Sequence, residues 1–148
     1  MFGRGGEELL ACLDARVEVR IVPGVTSATA APALAGIPVT HRGLAQGFTV
    51  VSGQVPPGHP DWTIDYAALA ASGTTIVVLM GVRTLRAICA ALVSGGLAPD
   101  TPAAVVADGT MPSQRVARAT LSTIDAAADI SPPAVAVIGA VADVPGLG

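Results

Sequence analysis

The segment Thr74-Thr75-Ile76-Val77-Val78-Leu79-Met80 constrains this chain most. It is a near-continuous β-branched and apolar run. A strand of that composition has no polar face to offer water, so both of its faces must be covered. Amphipathic residues follow from Val82 to Ser94, with Val82, Leu85, Cys89 and Leu92 on one helical face and Arg83 and Arg86 on another. A second apolar strand is expected over Ala103–Ala107. A turn at Asp108–Ser113 leads into a strand over Arg115–Ser122, and that turn is too short for a crossover helix, so the two strands should be antiparallel. With strands expected at Phe48–Ser52 and Ala134–Val141, the reading is an α/β chain with a mixed sheet.

Between these strands the punctuation is clear. Gly53 to Pro60 is a glycine- and proline-rich loop. Asp65 can cap a short helix ending near Gly73. Ile124–Asp129 allows one or two helical turns. Upstream, Glu7–Ala15 reads as a helix and Val17–Val22 alternates as a strand does. Thr26 or Ser27 can cap a helix that runs to Leu34 or Ala35 and is stopped by Gly36 and Pro38. Thr40–Gly47 is polar and irregular, and reads as a linker. One strand cannot make a sheet, so the layer formed by residues 1–39 leaves apolar faces that something else must cover.

Composition narrows the class. Hydrophobic residues make up 51% and charged residues 13% of the 148, which excludes a disordered chain. The apolar run Ile76–Met80 is strand-sized, no stretch approaches a membrane span, and the start shows no signal-peptide pattern, so a cytoplasmic location is the expectation. A net charge of −3 provides no footprint for nucleic acid. The basic residues are all arginine. Cys12 and Cys89 lie far apart in apolar helical patterns and are expected to be buried free thiols. No spacing suits a metal. His41 and His59 stand in expected loops. Gly3-Arg4-Gly5-Gly6 lacks the lysine of a phosphate loop and is followed by Glu7 and Glu8, so it reads as a tight turn into a helix.

Three expected strands finish at a glycine: Val22-Pro23-Gly24, Met80-Gly81 and Asp108-Gly109. Ligands of open α/β sheets bind beyond the carboxyl ends of strands, and glycine there lets backbone come close. These ends point to a crevice for a flat or extended small molecule.

The same segments carry a resemblance. Phe2-Gly3-Arg4-Gly5-Gly6-Glu7-Glu8, Val22-Pro23-Gly24-Val25-Thr26-Ser27-Ala28 and Ala35-Gly36-Ile37-Pro38 resemble the tetrapyrrole methylase family. So do Val51-Ser52-Gly53, Met80-Gly81, Asp108-Gly109-Thr110, Gln114-Arg115 and the stretch from Pro133 to Gly139, in order. Thr40-His41-Arg42-Gly43 with Ala45-Gln46 favours the branch that C-methylates uroporphyrinogen III over its sister methylases.

The resemblance implies two α/β domains with S-adenosylmethionine folded in the cleft between them, no metal, and a tetrapyrrole substrate. It implies that Thr26 and Ser27, Met80, Gly109 and Met1 contact the cofactor, and it leaves His41 and Arg42 as candidates to face the substrate's carboxylates. The implied reaction methylates carbons 2 and 7 of uroporphyrinogen III to give precorrin-2, on the way to sirohaem and cobalamin. The family's first strand, its glycine-rich turn, its Gly-Gly-Asp-Pro loop and its acid/base residues have no counterpart here. Residues 1–39 are therefore expected to be the remnant of a first domain, 40–47 a linker and 48–148 a complete C-terminal domain, in a polypeptide that is inactive alone. Its expected assembly is a homodimer. The rival readings are a later precorrin methyltransferase and a non-catalytic remnant that binds S-adenosylhomocysteine or dimerises.

Overall fold

A computed structural model describes residues 1–127 and 130–145. Five strands form one mixed sheet: β1 (Phe48–Ser52), β2 (Thr75–Leu79), β3 (Pro102–Ala107), β4 (Arg115–Thr120) and β5 (Ala134–Ile138). Their order across the sheet is β1-β2-β5-β3-β4. β1 and β2 are parallel; β5 runs antiparallel to both β2 and β3, and β3 is antiparallel to β4. The last strand in sequence thus lies in the middle of the sheet.

Every residue of β2 is buried, as its composition requires. Its alternating side chains feed two cores. Ile76 and Val78, with Ala103, Val105, Ala136 and Ile138, pack against Leu69 of α3 (Tyr66–Ala71) and Leu85, Ile88, Cys89 and Leu92 of α4 (Leu85–Ser94). Val77 and Leu79, with Ala104, Val106, Val135 and Val137, pack against Ala28 and Ala31 of α2 (Ser27–Leu34), and against Ile37, Ala45 and Val141. The residues from 27 to 45 therefore share a core with the sheet.

The expected caps are present. The Thr26 hydroxyl accepts from the Ala28 amide at 3.3 Å, and the Asp65 carboxylate accepts from the Ala68 amide at 3.0 Å. Asp65→Ala is expected to cost about 1 kcal/mol, read as a lower midpoint in urea with unchanged slope.

Several expectations change. Val17–Val22 is not a strand: its alternating pattern finds no strand to pair with among the described residues. α1 (Gly5–Asp14) forms but buries none of its residues, and Ile21, Val22 and Val25 stand exposed. The helix expected from Val82 begins as a 3₁₀ turn, Val82–Thr84, before α4. β4 stops at Thr120, where Thr123 turns back to its backbone amide. β5 stops at Ile138, because Gly139 takes a φ of 136° that no strand continues, and a 3₁₀ turn follows at Ala140–Asp143. The helical expectation over Ile124–Asp129 is met by a 3₁₀ turn at Ile124–Ala126; its last two residues, like the last three of the chain, lie outside the described residues.

Both cysteines are free, but Cys12 is only half-buried. Burial, reinforced by the nearby Asp125 carboxylate, pushes the Cys89 thiol up to about 12, so it packs as an apolar group and supplies no thiolate at neutral pH. Among the described residues, no helix is long and apolar enough to cross a membrane.

Candidate ligand cavity

The carboxyl ends of β1, β2 and β3 point to one edge of the sheet. Because β5 is antiparallel, its start lies at that edge too. A cavity of about 680 Å³ opens there, within the range of sites that hold drug-sized ligands. Leu79 and Met80 reach it from the end of β2, Val106 and Gly109 from β3 and its turn, and Pro133, Ala134 and Val135 from the start of β5. Ser27 and Ala31 of α2 close one side, Gln54 and the turn Val82–Thr84 another, and Met1 and Phe2 a third.

Two glycines bring the ends of β1 and β2 together next to this cavity. Gly53, just past β1, and Gly81, just past β2, approach so closely that a Cβ built on Gly53 would stand 2.5 Å from the Gly81 Cα. The Gly53 amide donates to the Leu79 carbonyl at 2.7 Å. The Thr84 hydroxyl is placed to bond both the Gly53 and Gly81 carbonyls. This staple fixes the turn Val82–Thr84 against the strand ends.

The β3 turn is held in a similar way. The Asp108 amide donates to the Pro133 carbonyl at 2.9 Å, and its carboxylate pairs with Arg115 at 3.5 Å. The Thr110 amide donates to the Gln114 side chain at 2.9 Å, whose amide nitrogen reaches the Leu34 carbonyl at the end of α2. A Cβ on Gly109 would meet that of Ala31 at 2.7 Å, so glycine here lets α2 lie against the turn.

Met80, Asp108 and Thr110 are non-glycine residues with φ of 58°, 50° and 79°. Such conformations are sparsely populated and concentrate at ligand sites. Here three of them gather at one edge of the sheet.

The wall is mainly apolar. Ser27, Gln54 and Thr84 add neutral polar groups and Arg83 a charge. No carboxylate or imidazole lines it among the described residues, so these walls can bind and orient a ligand but offer no base. Burial raises the Tyr66 phenol and the Cys89 thiol, and neither group lines the cavity. Among the described residues, no cluster of three metal-binding side chains occurs.

Of the residues singled out in the sequence, Met1, Ser27, Met80 and Gly109 line this one cavity. Thr26 does not; its hydroxyl caps α2 beside Ser27. His41 and Arg42 lie in a separate turn, where the His41 amide and Ala45 carbonyl pair at 3.0 Å and the His41 Nδ1 lies 2.9 Å from the Arg42 carbonyl. Val22-Pro23-Gly24, expected to end a strand, contributes nothing to the cavity.

Residues 1–125 match the family described as Tetrapyrrole (Corrin/Porphyrin) Methylases. The chain belongs to that family. An S-adenosyl-L-methionine-dependent uroporphyrinogen III methyltransferase of Methanosarcina barkeri is 44% identical over 142 residues, covering 94% of this chain and 56% of that protein. The uroporphyrin-III C-methyltransferase of Thermus thermophilus, solved with S-adenosyl homocysteine, superposes with a TM-score of 0.80 at 38% identity, over 95% of this chain and 61% of that one. A cobalt precorrin-4 methyltransferase superposes at 0.84 with 26% identity, over 97% of this chain and 61% of that one. The chain thus spans little more than half the length of these tetrapyrrole methylases. Its mixed sheet is the sheet of the family.

Proposed function

We propose that this chain binds S-adenosylmethionine in the strand-end cavity and contributes that site to the C-methylation of uroporphyrinogen III, giving precorrin-2. The observation that carries the reading is the convergence of Met1, Ser27, Met80 and Gly109 on one cavity of suitable size. Identity supports uroporphyrinogen III as the acceptor: on superposition, 38% to a methyltransferase named for uroporphyrin-III, against 26% to one named for cobalt precorrin-4. His41 and Arg42 remain part of the reading as substrate-facing residues, in a turn apart from the cofactor cavity. A homodimer with a cytoplasmic location also remains part of it.

When bound, the cofactor supplies a sulfonium methyl group. This chain's share is positional. The backbone at Met80 and Gly109 and the side chain of Ser27 would hold the cofactor. The apolar wall from Leu79, Val106 and Val135 excludes water from the bond being made. Orientation of this kind is worth many powers of ten in rate, and about 1 Å of misplacement can cost a hundredfold.

Isothermal titration of the 148-residue chain with S-adenosylhomocysteine tests the reading. Saturable one-site binding is expected, with unlabelled S-adenosylmethionine competing for the same site. Absence of binding at millimolar ligand would overturn the cofactor assignment.

A non-catalytic binding piece is the second reading. It is favoured by the exposure of Ile21, Val22 and Val25 beside an α1 with no buried residue. Assaying the chain with S-adenosylmethionine and freshly reduced uroporphyrinogen III separates the two: binding without precorrin-2 would favour this second reading.

A further inference from the structure

We propose that Arg83 is a carboxylate anchor for the ligand of the strand-end cavity. The inference rests on the cofactor-and-tetrapyrrole reading above and adds to it the residue that recognises charge. Arg83 is the one charged side chain among the described residues that line the cavity. An isolated guanidinium at the rim of an apolar pocket selects ligands that place an anion there.

Its position is fixed by the fold. Val82, Arg83 and Thr84 form the 3₁₀ turn directly beyond Met80-Gly81, and all three line the cavity. The Thr84 hydroxyl, bonded to the Gly53 and Gly81 carbonyls, prevents that turn from drifting. The Cα of Arg83 is therefore held while its side chain remains exposed and free to reorient.

Three other arginines are already engaged. Arg86, one helical turn on, lies 3.7 Å from the Asp125 carboxylate. Arg115 pairs with Asp108 at 3.5 Å and also donates to the Ser131 hydroxyl at 3.2 Å. Arg118 donates to the carbonyls of Ala142 and Val144, which ties β4 to the turn after β5. Arg83 has no acidic partner within ion-pair distance among the described residues. Its planar fork is suited to bidentate capture of a carboxylate, which a point charge such as lysine matches less well.

Both ligands of the proposed reaction carry carboxylates. One is on the amino-acid end of the cofactor, the others on the acetate and propionate arms of the tetrapyrrole. Two titrations distinguish them: S-adenosylhomocysteine by calorimetry, and uroporphyrin III, the stable oxidised macrocycle with the same arms, by its absorbance.

Arg83→Gln is expected to weaken one of the two by on the order of tenfold, the worth of a charge-assisted hydrogen bond. Arg83→Lys should recover only part of the loss. The wild-type affinity for that ligand should fall with added salt, and the dependence should flatten in Arg83→Gln. Arg86→Gln, which removes a neighbouring charge outside the cavity, should leave both affinities unchanged.

A loss for either ligand supports the anchor, and the ligand that loses names the carboxylate. Equal binding by wild type and Arg83→Gln overturns the anchor while leaving the cavity assignment in place. An equal loss in Arg86→Gln also overturns it, because the effect would then be one of overall charge. If wild-type protein binds neither ligand, the cofactor reading fails and the anchor fails with it.

Discussion

Gly53→Ala is expected to destabilise the protein by about 3 kcal/mol, the upper part of the usual range for overpacking. The added methyl would stand 2.5 Å from the Gly81 Cα, and 2.9 Å from both the Ile88 Cδ1 and the Val78 Cγ1. A side chain can rotate away from such a contact; the Gly81 backbone cannot. It is held between a buried strand and the Thr84 staple. The strain must therefore separate the ends of β1 and β2 or displace α4. Urea denaturation followed by circular dichroism measures the loss. A midpoint within error of wild type would show that the two strand ends yield without cost. Because their chain neighbours Gln54, Met80 and Val82 line the cavity, ligand affinity should fall in the same variant.

Gly109→Val is expected to abolish most cofactor affinity, by at least tenfold or about 1.4 kcal/mol. The branched side chain presses on two things at once. One is the ligand space beyond β3. The other is α2, since even a methyl on Gly109 would meet the Ala31 Cβ at 2.7 Å and its Cα at 3.3 Å. The variant should therefore lose some stability as well as binding. A compensating pair tells the effects apart. In Gly109→Ala the clash is mainly with the Ala31 methyl, so adding Ala31→Gly should restore part of the affinity, less about 1 kcal/mol of helix stability. Titration with S-adenosylhomocysteine reads the binding and thermal melting the fold. Unchanged affinity in folded Gly109→Val would remove the β3 turn from the site.

The elements legible in the sequence were those whose chemistry admits one environment. Thr75–Leu79 is buried on both faces, and its composition says so without help from the rest of the chain. Thr26 and Asp65 cap helices because their side chains satisfy amides that water would otherwise have to reach. Val17–Val22 shows the opposite case. Alternation describes a strand that has a partner, and no partner occurs among the described residues. Pattern alone carries no information about whether the neighbour exists.

The site divides along similar lines. Met80 and Gly109 could be marked because strand ends and glycines are visible locally. Pro133, Ala134 and Val135 could not, because their presence depends on β5 entering between β2 and β3 in the opposite direction. Nothing near residue 134 encodes that placement. Arg83 reads as one more charge on a helix face until the turn that carries it is seen to start directly after a strand end. Its distance from Met80-Gly81 was the available signal.

The central position of β5 also bears on how the chain is made. Synthesis runs from the amino end, so β1 and β2 can pair early, and β3 and β4 can close as a hairpin soon after. The two pieces share no strand pairing until residues 134–138 have left the ribosome. Before then β2 and β3 each show a bare edge of unpaired amides and carbonyls, built largely from apolar residues. Such edges are templates for pairing with other chains. The nascent protein is thus most prone to aggregate just before its final strand emerges, and a pause in translation upstream of Ala134 would lengthen that exposure.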